Sequence, residues 1–115
     1  MSDPTDQDLA ARYRPRLEAE RATLLASSDE TRDARKPVEL DQQSVGRLSR
    51  MDALQGQAMA KGLEARRAGR LRAIDAALGR IDEGEFGWCE DCGEFIGTRR
   101  LDVDPCMTRC VSCAS

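Results

Sequence analysis

The 115-residue chain contains no histidine. Imidazole is the commonest side chain for proton transfer near neutral pH and the commonest metal ligand. Its absence leaves little for acid–base catalysis and passes any soft-metal chemistry to thiols. Aromatic residues are also scarce, with one Trp, one Tyr and two Phe, while charged residues make up 34%. Such a composition cannot fill a wide globular core. It suits long solvated helices plus a small module held by something other than packing. No run of about 18 apolar residues occurs, so no membrane span is expected. The N-terminal MSDPTDQDLA has neither the basic start nor the apolar run of a signal peptide, and the cytoplasm is the simplest compartment. A net charge of −3 argues against a general nucleic-acid binder, which is usually basic.

What is present begins with helical periodicity. DPTDQ suits a helix start, with Asp3 as N-cap and Pro4 at the first helical position. Leu9, Tyr13, Leu17, Leu24 and Leu25 fall near one face, predicting helix over roughly 5–27. Pro15 lies inside that pattern and must either kink the helix or mark the start of its main part. The charged stretch SSDETRDARKPVEL (27–40) has no stripe and reads as a turn. A second helix should begin near Asp41, with Asp41 or Ser44 as cap, and run to about residue 82. Val45, Leu48, Met51, Leu54, Met59, Leu63, Leu71, Ile74, Leu78 and Ile81 form a drifting stripe, the last four at coiled-coil-like 3–4–3 spacing. Gly46, Gly56, Gly62, Gly69 and Gly79 each weaken this helix by up to about 1 kcal/mol relative to Ala. They are either tolerated weakness or sites where another backbone approaches closely. Two such helices should pair antiparallel. The expected fold is mainly α: a long antiparallel helical hairpin (1–82, tip loop about 28–41) followed by a small C-terminal four-cysteine zinc-finger module (83–115).

That module rests on C-x2-C-x17-C-x2-C, formed by Cys89, Cys92, Cys110 and Cys113, a spacing within the range of zinc ribbon-like sites. Four thiolates suit one tetrahedral Zn²⁺, and with every position filled by protein the metal is structural rather than catalytic. Metal binding then supplies the folding free energy that a tiny core cannot. Gly93 permits the tight knuckle, and Arg99, Arg100 and Arg109 can offset the charge of the four-thiolate site. The alternative is a pair of redox dithiols, weakened by the lack of an adjacent strand–helix redox pattern. Cys106 is left over, either a bystander or a peroxide-reactive thiol.

EGEFGWCEDCGEFIGTRRL, followed by DP and CVSC, resembles the DksA/TraR family of bacterial transcription regulators. The specific match covers residues 83–113, and the looser one, a hairpin before a zinc module, covers the whole chain. The resemblance implies a monomer that binds RNA polymerase, enters its secondary channel with the hairpin, and modulates initiation without binding specific DNA. It also implies a tip acidic motif, Asp-x-x-Asp-x-Ala, from which this sequence departs. The loop offers Asp29, Asp33-Ala34 and Asp41, of which Asp41 is the favoured counterpart; Asp41 could equally be only an N-cap, and both roles can coexist. Arg47, Arg50 and Asp52 could grip the channel wall or form a solvated face. Several family members act with (p)ppGpp in the stringent response. Here Asp104 stands where a basic residue precedes the Pro of the zinc insert, and Ala73 roughly where a lysine lies on the long helix. Arg66 alone matches a contacting arginine, so weak or absent alarmone synergy is expected.

Two other function classes stand against this. A zinc ribbon-like nucleic-acid binder would use RRAGRLR (66–72) with Arg99 and Arg100 against phosphates, but acidity and scarce aromatics disfavour it. An enzyme is disfavoured by the absence of histidine, of a phosphate-cradling glycine loop and of an open metal position. Stimulated transcript cleavage would need tip carboxylates holding a second Mg²⁺ in the polymerase site.

Overall fold

The computed structural model describes residues 4–35 and 47–114. Helix α1 spans Asp6–Glu30, a 3-10 turn follows at Asp33–Arg35, and α2 spans Arg47–Glu83. Two short helices, α3 (Thr98–Val103) and α4 (Val111–Ala114), complete the order. Among the described residues the only β pairing is an isolated antiparallel bridge between Trp88 and Phe95. The contacts divide into two compact units, one of residues 1–22 and 71–115, the other of 23–70.

The start of α1 is fixed by Thr5 rather than Asp3, which lies outside the described residues. The Asp8 backbone N–H donates to Thr5 Oγ1 at 3.1 Å, and the Thr5 N–H donates to Asp8 Oδ2 at 3.2 Å. This reciprocal capping box satisfies two donors that the first turn would leave open. Pro15 sits within the helix, so it does not mark the helix start.

In the first unit, Leu9, Tyr13 and Leu17 recur every fourth residue along α1 and are buried, as are Ile74, Ala77 and Ile81 of α2. Arg14 pairs with Asp82 and Arg21 with Asp75 at 2.9 Å. Advancing along α1 therefore retreats along α2 by the same number of residues, so the two helices run antiparallel. The seam is slightly shifted from the expected one: Ala77 is fully buried, whereas Leu78 is half-buried. The same core takes in Phe86, Cys89, Ile96 and Leu101. The Tyr13 and Phe86 rings lie 5.4 Å apart. Gly87 is required here twice over. Its φ is +92°, and a Cβ would stand 3.2 Å from Leu9 Cδ1 and 3.3 Å from Phe95 Cε2, so any side chain is both strained and crowded.

The second unit is joined by polar groups. Ser28 Oγ donates to the Glu64 carboxylate at 2.9 Å. Arg67 Nη1 donates to Glu64 Oε2 at 2.8 Å and to Thr31 Oγ1 at 3.1 Å. Arg35 Nη2 donates to the Ser28 carbonyl at 2.6 Å, and its Nη1 lies 3.4 Å from Glu64 Oε1. Partial burial pushes the Glu64 carboxyl up, but the Ser28 hydroxyl, Arg67 and Arg35 outweigh it and hold it below its usual range.

These bonds explain why α1 outlasts the sequence expectation and reaches Glu30. Ser28 does not compete with the backbone because its hydroxyl is taken by Glu64, and Arg35 satisfies a carbonyl at the helix end. Met51, Leu54, Met59 and Leu63 are exposed, Met59 by 70%. At Gly56, Gly62 and Gly79 a Cβ would meet nothing within 4 Å, so these three are not places of close backbone approach. No described helix is long and apolar enough to cross a membrane.

Candidate metal centre

The first two cysteines sit on a tight hairpin. The Trp88–Phe95 bridge sets its arms, with the Ile96 N–H donating to the Gly87 carbonyl at 2.8 Å and the Cys89 N–H to Glu94 at 2.8 Å. Trp88 and Phe95 meet edge to face at 5.4 Å. At the tip the Gly93 N–H donates to the Cys89 carbonyl at 2.9 Å. Gly93 has φ +76°, a conformation for which glycine is the default residue. The second pair is set by α4: the N–H groups of Cys113 and Ala114 donate to the Cys110 carbonyl at 3.1 and 3.0 Å.

Two contacts join the knuckles. The Glu90 N–H donates to the Thr108 carbonyl at 2.9 Å. Arg109 Nε lies 3.4 Å from Glu90 Oε1 and 3.1 Å from Asp91 Oδ2, the two residues between Cys89 and Cys92. Arg100 Nε donates to the Arg109 carbonyl at 3.0 Å. The arginines expected to offset thiolate charge thus divide. Arg109 braces the first knuckle, Arg100 holds the backbone of the second, and Arg99 is exposed on α3.

The four sulfurs converge. All lie within 4.8 Å of one another, and Cys92 Sγ is 3.6 Å from Cys110 Sγ. A tetrahedral ion held by four thiolates at about 2.3 Å sets its sulfurs about 3.8 Å apart, so the donor set fits Zn²⁺. Cys89 is buried, Cys110 and Cys113 are partly so, and Cys92 is exposed.

The electrostatics call for a cation. Backbone N–H groups of Cys110 and Cys92 hold the Cys89 thiol down at about 6. At Cys92 the Glu94 N–H favours the thiolate, but the sulfurs of Cys89 and Cys110, together with burial, push the thiol up. Cys113 is pushed up by Cys110, Cys89 and Cys92. Crowded thiols resist joint ionisation, and a bound divalent ion removes that resistance by deprotonating its ligands outright. Cys106 stands outside this cluster; its backbone N–H donates to Asp104 Oδ1 at 3.0 Å. Asp104 is therefore a turn residue opening the Asp-Pro bend.

The module is clasped to α1 by residues that sequence reasoning did not single out. Asp102 on α3 receives Arg12 at both oxygens, at 3.1 and 2.6 Å, and the Tyr13 hydroxyl at 2.8 Å. These donors hold its carboxyl below the usual range, Arg12 most strongly and then Tyr13. Arg16 donates to the Asp102 carbonyl at 2.6 Å, satisfying an open acceptor at the end of α3. Burial, reinforced by Asp102, pushes the Tyr13 hydroxyl up to about 12. Only the repeat of Tyr13 on the buried face of α1 hinted at this arrangement.

Of the other residues named from sequence, Asp29 of α1 aside, those that are described lie on two elements. Asp33 and Ala34 lie in the 3-10 turn after α1. Arg47, Arg50 and Asp52 lie on the first turns of described α2, with Asp52 exposed, and Arg66 is exposed further along it. Asp41 lies outside the described residues.

Comparison with known proteins bears out the resemblance. Residues 84–115 match the prokaryotic dksA/traR C4-type zinc finger. RNA polymerase-binding transcription factor DksA of Haemophilus influenzae is 42% identical over 43 residues, covering 37% of this chain and 30% of that protein. The protein of the same description from Escherichia coli K12 is 37% identical over 43 residues, covering 37% of this chain and 28% of its own. These matches thus span less than a third of those relatives' length. The solved structure of transcription factor DksA2 from Pseudomonas aeruginosa superposes with a TM-score of 0.63 at 29% identity, covering 95% of this chain and 77% of that one.

Proposed function

We propose that this protein binds RNA polymerase and regulates transcription initiation from the enzyme's secondary channel, without catalysis of its own. The observation that carries the proposal is the pairing of a dksA/traR-type C4 zinc centre with two antiparallel helices. The fold likeness to DksA2 over 95% of the chain supports the same reading. In this proposal residues 1–82 form the hairpin and 83–115 the zinc module. Zn²⁺ is held by Cys89, Cys92, Cys110 and Cys113 and serves only to hold the module's shape. Asp41, with Asp33 and Ala34 as the other candidates in the tip segment, approaches the polymerase active-site region. Arg47, Arg50 and Asp52 contact the channel wall.

Alarmone synergy is expected to be weak. Arg66 is a single exposed cation, and Asp104 is an acid already engaged in a turn. A monomeric, cytoplasmic protein with no specific DNA site completes the proposal.

Purified zinc-loaded protein should bind RNA polymerase in a direct binding assay and leave free promoter duplex unshifted. A gel shift on duplex with no polymerase binding would replace this reading with that of a nucleic-acid binder. Asp41→Asn should keep polymerase affinity within about twofold, a change well under 1 kcal/mol, yet blunt the effect on initiation. Undiminished promoter regulation by that variant would remove the tip assignment.

A further inference from the structure

The zinc module carries an apolar groove, most of whose lining residues serve neither the metal centre nor the helix seam. It has a volume of about 340 Å³ and is lined by Ile96, Gly97, Arg99, Arg100, Val103, Met107 and Val111. Val103 and Val111 are 76% and 64% exposed, unusual for branched aliphatic side chains in a module with so small a core. Every charged residue lining it is an arginine. The neighbouring acids point elsewhere: Asp102 is bound by Arg12 and Tyr13, and Asp104 Oδ1 accepts from the Cys106 N–H. Arg100 directs Nε to the Arg109 carbonyl. Arg99 is exposed and makes no ion pair with a described residue. The groove therefore offers an apolar bed with a positive rim.

We propose that the groove between α3 and α4 docks a segment of a partner protein that presents a bulky apolar side chain flanked by carboxylates. The volume suits one or two side chains, and walls this exposed are too shallow to enclose a free small molecule, whose sites bury most of the ligand. Apolar contact supplies affinity, while Arg99 selects the acidic flank by charge-assisted hydrogen bonds. The inference does not rest on the polymerase reading, and its test contains no polymerase.

The full-length, zinc-loaded protein, labelled at Val, Ile and Met methyl groups, is titrated with three synthetic peptides. One carries a leucine pair flanked by aspartates, the second replaces the leucines by alanine, and the third replaces the aspartates by lysine. The first should shift the Val103, Val111 and Met107 methyl signals and bind at least about tenfold tighter than the other two, a difference of about 1.4 kcal/mol. Arg99→Glu should lose about that factor for the acidic peptide and gain affinity for the lysine peptide, with zinc content unchanged. Val103→Asp should weaken both.

Equal affinities, no binding, or shifts confined to α1 and α2 would overturn the proposal. So would a wild-type dimer that Val103→Asp converts to monomer, since the groove would then belong to a second copy of this chain.

Discussion

Asp102 is the residue on which the attachment of the zinc module to α1 converges. Three side-chain hydrogen bonds reach its carboxylate from Arg12 and Tyr13. Its carboxyl is held below the usual range, so its contribution to stability is present above the ordinary carboxylate range and is lost as pH falls through the depressed value. Tyr13 behaves in the opposite sense. Its folded value of about 12 lies above the ordinary 10.0, so the neutral phenol is favoured in the fold, and stability falls as pH rises between those two values. Because the chain has one tyrosine, tyrosinate absorbance reads this group alone. The native protein should titrate near 12 and return to about 10 in denaturant. A native midpoint near 10 would mean the hydroxyl is not buried against Asp102. Tyr13→Phe should cost about 1 kcal/mol, the net worth of a typical hydrogen bond, seen in denaturant unfolding. Asp102→Asn should lower the melting temperature and remove part of the stability lost in acid.

The elements follow from periodicity, but unevenly. Leu9, Tyr13 and Leu17 were legible as one face of α1 because their four-residue spacing is a property of the helix alone. The stripe of α2 was legible only where a partner face exists. Ile74 and Ile81 are buried, yet Met51, Leu54, Met59 and Leu63 at similar spacing are exposed. Ala77 was missed because a small residue gives no hydropathy signal until the opposing helix closes over it. The Ser28–Glu64–Arg67–Arg35 network was missed for a related reason: its members lie far apart in sequence and each is ordinary on a solvated helix. Ile74→Ala should destabilise by about 2–5 kcal/mol, whereas Met59→Ala should stay within about 0.5 kcal/mol, both measured by denaturant unfolding. Gly62, with open space where a Cβ would stand, should gain up to about 1 kcal/mol on substitution by Ala. A loss there would show that a neighbour approaches this turn.

For the whole molecule, the four-thiol motif was the most legible feature, because ligand spacing is dictated by the metal rather than by the rest of the fold. The sulfur positions agree with it. What the motif could not show is that Cys89 shares a core with Leu9, Tyr13 and Leu17 of α1. Metal loss should therefore be felt beyond the knuckles. Trp88, next to Cys89 and edge to face with Phe95 at 5.4 Å, is the sole tryptophan and reports it directly. Chelation, or Cys92→Ser, should shift its emission to the red and lower the melting temperature. Unchanged emission and melting, with no zinc found by metal analysis, would remove the structural metal. The proposed function depends on delivery of the segment around Asp41 to the polymerase interior. The most direct measurement is to place a photoreactive side chain at residue 41 and irradiate the protein with purified RNA polymerase. Crosslinks should fall on polymerase segments around the catalytic Mg²⁺. Crosslinks only to promoter DNA, or none under conditions where the protein binds polymerase, would contradict it.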